Sequence, residues 1–220
     1  IEGGKRIAFL REGQIWAMNP DGTGRQQLTH DKTGIDGFKF SPDGQSVILI
    51  KQIPYNVTIQ KNPADLPKTT GMVITDMNYR HWDEYVTSIP HPFLAAVTAN
   101  GIGEGKDIME GEPYECPVKP FGGAEQLAWS PDSKSIAYTS RKKTGIEYAL
   151  STDTDIYLYN TETGTTTNLC KPADYKAPAI DATKTMKYQA VNAPADPTHT
   201  PGYAPPPTLS PDRHPLARHT

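Results

Sequence analysis

A recurring proline-centred turn constrains the fold of this 220-residue chain more than any other feature of its sequence. The tripeptide Ser-Pro-Asp occurs at residues 41–43, 130–132 and 210–212. Proline presets the backbone for the second position of a tight turn, and aspartate accepts hydrogen bonds from nearby amides. In the first two copies an aromatic residue precedes the serine, and a β-branched or aromatic run follows. Each copy therefore predicts a strand, a turn and a second strand.

A second pattern recurs at a single offset along the chain. Residues 15–28 align without a gap with residues 156–169, and the two segments share an isoleucine, an asparagine and a leucine. Each segment has the pattern of a strand, a turn and another strand. Short strands in repeated units cannot bury their own faces, so they favour stacking into a β-propeller or a solenoid. A β-sandwich is the alternative, but sandwiches do not repeat their turn chemistry.

The sequence thus predicts an all-β fold, a partial and incomplete β-propeller of about three blades built from four-stranded antiparallel sheets. Frequent turns fit the 18 glycines and 21 prolines, which also argue against a helix bundle. We expect residues 1–203 to form this domain and residues 204–220 to be a proline-rich tail, disordered or aberrant. Closed propellers have four or more blades, so open blade edges could support a homo-oligomer. Four aromatic residues are expected in the core: Trp16, Trp129, Tyr138 and Tyr157.

Together the two patterns resemble the WD40-like repeat called PD40, found in TolB-like propellers and in the N-terminal propellers of prolyl-oligopeptidase-family (S9) serine peptidases. Residues 79–85 read Tyr-Arg-His-Trp-Asp-Glu-Tyr and are followed by His-Pro-Phe-Leu at 91–94. These segments, and Pro-Phe-Gly-Gly at 120–123, are similar to the propellers of bacterial acylaminoacyl-peptidase or dipeptidyl-peptidase-5-like enzymes. In that family the propeller lies over a separate C-terminal α/β-hydrolase domain.

Catalytic residues are not expected in this chain. The nucleophile of the hydrolase domain lies in a Gly-x-Ser-x-Gly turn, and no serine here has glycine at both flanking second positions. The resemblance therefore implies a truncated peptidase fragment whose partner is the missing α/β-hydrolase domain. Its expected role is non-catalytic: gating or orienting peptide substrates. The resemblance also implies a periplasmic or secreted location in a bacterium, although no signal peptide is visible.

Two alternatives come from other functional classes. A free-standing TolB-like propeller would bind a protein partner without turnover. An independent hydrolase acting on peptides or polysaccharides would use carboxylates, with the candidates Asp83, Glu84, Glu110, Glu112 and Glu115.

The densest polar and aromatic cluster predicts a substrate-binding site formed by Arg80, His81, Trp82, Asp83 and Glu84. Charged groups here would contact a peptide terminus through charge-assisted hydrogen bonds. A structural network is the other interpretation, with the tryptophan buried and the aspartate bracing a turn. The two acidic residues are adjacent and would point to opposite faces of a strand, which weakens a paired-carboxylate mechanism.

Charge and spacing argue against several other classes. The net charge is −3 and the chain has one short basic run, Arg-Lys-Lys at 141–143. A nucleic-acid partner normally requires a basic patch, so none is predicted. No apolar run approaches the about 18 residues that span a bilayer. The histidine spacings match no zinc pattern, so neither a metal nor a cofactor is predicted. Whether Cys116 and Cys170 pair cannot be read from their spacing.

Overall fold

The computed structural model describes residues 1–55, 59–60, 73–74, 86–144, 147–148, 151–171, 174 and 176. Within these ranges the chain is all-β, as predicted, and three antiparallel sheets follow one another along the sequence. Two short 3-10 helices, Glu2–Gly4 and Ala124–Gln126, accompany the strands. No helix in the described ranges is long and apolar enough to cross a membrane. The predicted tail at 204–220 and the third Ser-Pro-Asp copy lie outside the described residues.

The first sheet has three strands in the order β1 (Ile7–Arg11), β2 (Gln14–Met18) and β3 (Gln26–Gln27). Both pairs are antiparallel, with Phe9 opposite Trp16 in the β1–β2 pair. One edge of β1 has no strand partner among the described residues. This sheet is therefore one strand short of the four that the sequence predicts.

The second sheet is the largest. The strands of this region are β4 (Gly37–Phe40), β5 (Ser46–Pro54), β6 (Ile59–Gln60), β7 (Val73–Ile74), β8 (Ser88–Thr98), β9 (Gly101–Ile102) and β10 (Lys106–Asp107). The main path of the sheet runs β10-β8-β5-β4, and β9 pairs with the end of β8. A separate two-stranded ladder, β6–β7, falls between β5 and β8 in the sequence.

Two short strands of this sheet lie in residues 101–123, a stretch rich in glycine and proline. Both β9 and β10 pair with β8 there. A further hydrogen bond fixes this stretch to the first sheet: the amide of Ile102 donates to the carbonyl of Leu28 at 2.8 Å. Gly101 suits this close approach, since a side chain there would lie 2.7 Å from the same carbonyl oxygen.

The third sheet has the predicted four strands, in the order of the sequence. The strands are β11 (Leu127–Trp129), β12 (Ser135–Ser140), β13 (Asp155–Asn160) and β14 (Thr166–Asn168). Tyr138 of β12 and Tyr157 of β13 lie directly opposite each other, and their rings stack with centroids 5.4 Å apart.

Strand β5 separates two hydrophobic cores. Successive side chains of a strand point to opposite faces, and here both faces are buried. Ile48 and Ile50 belong to a core shared with the third sheet, whereas Val47 and Leu49 belong to a core shared with the first sheet. The three sheets therefore pack face to face in sequence order, with the second sheet in the middle.

The predicted core aromatics are confirmed at three of four positions. Trp129, Tyr138 and Tyr157 are buried in the core between the second and third sheets. Trp16 is only half-buried, and the guanidinium of Arg11 lies 5.8 Å from its ring centroid.

The two described Ser-Pro-Asp turns have the same internal hydrogen bonds. The Ser41 hydroxyl donates to Asp43 Oδ1 at 2.6 Å, and the amide of Ser46 donates to Ser41 Oγ at 3.0 Å. The corresponding bonds in the turn at 130–135 measure 2.6 and 2.9 Å. Bonds from the Ser41 hydroxyl and the Gln45 amide lower the pKa of Asp43 below its usual 3.8.

Three hydrogen bonds join the second and third sheets along β4 and β11. The indole nitrogen of Trp129 donates to the carbonyl of Lys39 at 3.0 Å. The Lys39 ammonium in turn donates to the carbonyl of Leu127 at 2.5 Å. Between the turns, the amide of Asp43 donates to Ser133 Oγ at 3.2 Å. These bonds fix the two edge strands beside each other.

Candidate functional site: a charged cluster beside the third sheet

The predicted substrate-binding residues all lie outside the described residues, so their placement stays a prediction: Arg80, His81, Trp82, Asp83 and Glu84. In the described part of the chain, charged and aromatic side chains gather near the end of β12 and the start of β13. We call this group the charged cluster and define it as Glu112, Glu115, Arg141, Lys142, Lys143, Tyr148, Asp153, Asp155 and Lys171.

Glu115 is the most buried carboxylate of the charged cluster, with no exposed surface. It accepts a hydrogen bond from the hydroxyl of Tyr148 and lies 3.8 Å from Nη2 of Arg141. The Arg141 guanidinium also lies 3.9 Å from the centroid of the Tyr148 ring. Burial and the adjacent Glu115 raise the pKa of Tyr148, so the hydroxyl stays protonated and remains a donor.

Each of the three cations at 141–143 lies close to a carboxylate. Lys142 Nζ lies 2.6 Å from a carboxylate oxygen of Glu112 and 4.1 Å from the centroid of the Tyr157 ring. Lys143 pairs with Asp153 at 3.4 Å. With Arg141 held by Glu115, each of the three cations faces a carboxylate, so the run is part of a charge-balanced network rather than a free basic patch.

Asp155 anchors the other side of the charged cluster. It is 6% exposed, and its Oδ2 accepts bonds from Lys171 Nζ at 2.5 Å and from the Asn168 side chain at 3.0 Å. Because Asp155 begins β13 and Asn168 ends β14, these bonds tie together the ends of two neighbouring strands.

A buried histidine–aspartate pair in the second sheet resembles half of a catalytic triad but lacks the nucleophile. Fully buried His91 places Nδ1 2.8 Å from Asp107 Oδ2. Its Nε2 lies 2.8 Å from the carbonyl oxygen of Tyr114. A general base needs that nitrogen directed at a serine, threonine or cysteine, so this pair braces the sheet and activates no nucleophile.

The cysteines do not supply a nucleophile either. Both are free thiols, Cys116 buried and Cys170 half-buried. Burial, together with the charge of Glu115, raises the pKa of Cys116. Burial also raises the pKa of Cys170. Because the thiolate is the reactive form, neither side chain is activated.

The carboxylates proposed for an independent hydrolase are not brought together as an acid/base pair in the described ranges. Glu110 is exposed, whereas Glu112 and Glu115 each face a cation. Asp83 and Glu84 lie outside the described residues. No group of three or more His, Cys, Asp or Glu residues in the described part is placed to hold a metal ion.

Sequence reasoning identified parts of the charged cluster but not the whole. It named Glu112 and Glu115 only as candidate carboxylates and residues 141–143 only as a short basic run. Tyr148 lies 33 residues from its partner Glu115, and nothing in the local sequence links the two. The one available signal was the run of three cations at 141–143, which the structure places directly after β12 (Ser135–Ser140).

The chain is similar in sequence to known peptidases over most of its length. It is 54% identical over 170 residues to dipeptidyl-peptidase 5 of Porphyromonas gingivalis, covering 76% of this chain and 25% of that protein. It is 48% identical over 174 residues to dipeptidyl-peptidase 5 of Porphyromonas endodontalis, covering 77% of this chain and 25% of that protein. The chain therefore spans about a quarter of the length of these curated relatives.

No protein-family model matches the chain. Acylaminoacyl peptidase of Pyrococcus horikoshii superposes with a TM-score of 0.44 at 17% identity, covering 76% of this chain and 23% of that one. Sequence identity confirms the resemblance to S9-type peptidases expected from the repeats. About three quarters of this chain is similar to a quarter of dipeptidyl-peptidase 5.

Proposed function

We propose that this chain is the N-terminal, non-catalytic propeller portion of an S9 peptidase of the dipeptidyl-peptidase 5 type. The observation that carries the proposal is 54% identity over 170 residues to a quarter of such a protein. The described residues supply no activated nucleophile, as the contacts of His91 and Cys116 indicate. A separate α/β-hydrolase domain would provide the serine, aspartate and histidine.

The packing of the sheets supports a propeller arrangement. Each sheet lies face to face with the next, and the middle sheet is buried on both sides. Equivalent edge strands, β4 and β11, lie side by side through the Lys39–Trp129 bond. In a propeller such strands would line a central opening, and a narrow opening admits only short, unfolded peptides. The proposed role is therefore to limit access to the hydrolase domain and to orient peptides, in a periplasmic or secreted enzyme.

A chimera tests the proposal directly. The matching segment of Porphyromonas gingivalis dipeptidyl-peptidase 5 would be replaced by the aligned residues of this chain. We expect the chimera to react with a fluorophosphonate probe and to release dipeptides from a chromogenic substrate. The isolated chain should do neither, because its described residues form no nucleophile–base pair. Stoichiometric labelling of the isolated chain, or a folded chimera without turnover, would contradict the proposal.

The substrate-binding prediction is tested in the same chimera. Arg80→Ala removes a cation proposed to bind a peptide terminus, and charge-assisted bonds contribute about 1.5–3 kcal/mol. We therefore expect KM to rise about tenfold or more, with kcat little changed. Lys134→Ala is the matched control, because that lysine is exposed and forms a surface ion pair with Glu162. An unchanged KM in the Arg80 variant would remove this residue from the site.

A further inference from the structure

The imidazole of His91 is fully buried in the second sheet, and each of its two ring nitrogens faces an oxygen atom. Nδ1 lies 2.8 Å from Oδ2 of Asp107, which ends the edge strand β10. Nε2 lies 2.8 Å from the backbone carbonyl oxygen of Tyr114, in the segment after β10. Both distances are those of hydrogen bonds. The ring therefore joins β8 to its neighbouring strand and to the segment that follows that strand.

Both oxygen atoms are acceptors. A backbone carbonyl oxygen and an ionised carboxylate cannot donate a hydrogen bond. Asp107 also uses Oδ1 to accept from the amide of Met109 at 2.8 Å. A neutral imidazole has one N–H and one lone pair, so it would leave a lone pair facing an oxygen atom. An imidazolium has two N–H groups and satisfies both contacts, and transfer of the Nδ1 proton to Asp107 would leave the pair with the same number of protons.

The charges on this face of the second sheet balance when His91 is an imidazolium. Lys51 lies opposite His91 in the β5–β8 pair, so the two side chains share a face of the sheet. The Lys51 ammonium donates to Asp31 Oδ2 at 2.9 Å and to the carbonyl of Glu104 at 2.8 Å. These two carboxylates, Asp31 and Asp107, thus each face one cation. A neutral His91 would leave Asp107, whose side chain is 14% exposed, without a cation.

The segment after β10 supplies no substitute for that cation. Its carboxylates nearest in sequence to Tyr114 pair with cations beside the third sheet, Glu112 with Lys142 and Glu115 with Arg141. The Cys116 thiol is buried, and burial raises its pKa, so it is neutral. Among the groups that the described residues place around His91, the imidazolium is therefore what balances Asp107.

We propose that His91 is a buried imidazolium that holds the segment after β10 in place and releases it when the proton is lost at higher pH. A ring with one remaining N–H should keep it directed at the Asp107 carboxylate, because a charged acceptor forms the stronger bond. The carbonyl of Tyr114 then loses its donor. The proposal concerns this internal contact and does not depend on peptidase function.

Release of this carbonyl would affect the charged cluster. The same segment carries Glu112 and Glu115, which hold two of the three cations at 141–143. It is fixed to β8 by a second bond, in which the amide of Cys116 donates to the carbonyl of Pro90 at 2.9 Å. The proton on His91 thus links the second sheet to the arrangement of charges beside the third.

The direction of the pH effect follows from the number of bound protons. In the unfolded chain a histidine loses its proton near about pH 6.5. Above that pH the folded chain holds one more proton than the unfolded chain, so stability falls as the pH rises. While folded His91 stays charged, each pH unit should lower the folding equilibrium constant about tenfold. Below that pH both states are protonated, and the contribution of the imidazolium is complete.

Asp107→Asn separates the charge from the contacts. An asparagine side chain can donate its amide to Nδ1 and still accept from the Met109 amide, while Nε2–H donates to the Tyr114 carbonyl. A neutral ring then satisfies every contact. In urea unfolding from about pH 6.5 to pH 9, we expect the pH dependence of the unchanged chain to exceed that of the Asn variant by about tenfold in the folding constant per pH unit. His30→Gln is the matched control, because His30 is exposed, and it should keep the pH dependence of the unchanged chain.

Nitrogen-15 NMR of the histidine rings provides a measurement on the unchanged chain. At about pH 8 exposed histidines are neutral, and one ring should have both nitrogens protonated. That signal should disappear in the Asp107→Asn form. Exchange protection of the Glu112 and Cys116 amides should decrease towards about pH 9 in the unchanged chain and persist in the variant.

Two results would overturn the proposal. One is a spectrum at about pH 8 in which no histidine ring of the unchanged chain has two protonated nitrogens. The other is an equal pH dependence of unfolding in the unchanged chain and a folded Asp107→Asn form. A doubly protonated ring that depends on Asp107, together with the smaller pH dependence of the variant, supports the assigned imidazolium.

Discussion

The first and third sheets place the same strand sequence in two different environments. Residues 7–9 and 136–138 read Ile-Ala-aromatic and pair antiparallel with equivalent strands. The turns before them, residues 1–6 and 130–135, are closed by equivalent hydrogen bonds, because the nitrogen of Ile1 donates to the Arg6 carbonyl and the amide of Ser130 donates to the Ser135 carbonyl. Yet Ile136 is fully buried and Ile7 is 43% exposed. The local sequence thus determines that a strand forms. How deeply its side chains are buried depends on whether another strand pairs with its second edge, as β11 does with β12.

The largest expected difference concerns the arginines at the ends of these strands. Arg141 faces fully buried Glu115, whereas Arg11 pairs with Glu12 and both side chains are more than half exposed. Removing one partner of a buried pair leaves an uncompensated charge. Arg141→Met should therefore lower the free energy of unfolding by about 3–5 kcal/mol, and Arg11→Met by less than about 1 kcal/mol. Urea unfolding measures both, and equal losses would contradict the comparison.

Ile7 and Ile136 occupy equivalent positions, so truncating each of them tests how burial affects the free energy of unfolding. Ile136→Ala should cost about 2–5 kcal/mol, because it leaves a cavity in the core between the second and third sheets. Ile7→Ala should cost less than about 1 kcal/mol, since water already reaches that side chain. Thermal and urea unfolding supply the values, and equal costs at the two positions would contradict the comparison.

Removing a serine hydroxyl from a Ser-Pro-Asp turn should have a smaller effect on stability. Ser130→Ala removes the hydroxyl that donates to Asp132 and accepts from the Ser135 amide. We expect a loss of about 1–2 kcal/mol in the free energy of unfolding. Ile1→Ala is the control at the equivalent position, where no hydroxyl contributes, and it should change stability by less than about 0.5 kcal/mol. Comparable losses at both positions would show that the hydroxyl bonds do not distinguish the turns.

The smallest expected effect depends on pH. Hydrogen bonds from Ser41 and Gln45 lower the pKa of Asp43 below 3.8. Its stabilising contribution is therefore complete above that pH and is lost as the pH falls through the lowered value. Asp43→Asn should reduce stability near neutral pH, and the difference from the unchanged chain should shrink in acid. The turn at 1–6 has glycine at the matching position, so Gly3→Ala should leave the acid dependence unchanged. Unfolding free energies measured across this pH range test both variants.

Repetition made much of the fold predictable. The Ser-Pro-Asp turns located the β4–β5 and β11–β12 pairs, and the repeat at 15–28 and 156–169 located two further strand pairs. The turn at 1–6 was not predicted because it lacks the Ser-Pro-Asp tripeptide. Its shape comes from backbone hydrogen bonds and from two glycines with positive φ, Gly3 and Gly4. β9 and β10 were missed because their pairing with β8 overrides a glycine-rich local sequence.

The candidate site was less predictable than the fold. Glu115 lies in the segment before β12, whereas Arg141 and Tyr148 lie in the segment after it. Only tertiary packing brings the three side chains together, so their spacing in the sequence does not predict these contacts. The predicted cluster at 80–84 rested on composition alone and lies outside the described residues. Similarity to dipeptidyl-peptidase 5 agrees with the resemblance found in the segments at 79–94 and 120–123 but assigns no role to the charged cluster.

The two-faced burial of β5 has a consequence for any attempt to divide this protein. Val47 and Ile48 are neighbours in sequence, yet each is fully buried in a different core. Excising the first or the third sheet would expose one complete apolar face of the second to water. We therefore expect the three sheets to lose structure in a single cooperative transition, and shorter pieces cut between them to be recovered as aggregates rather than as independent domains.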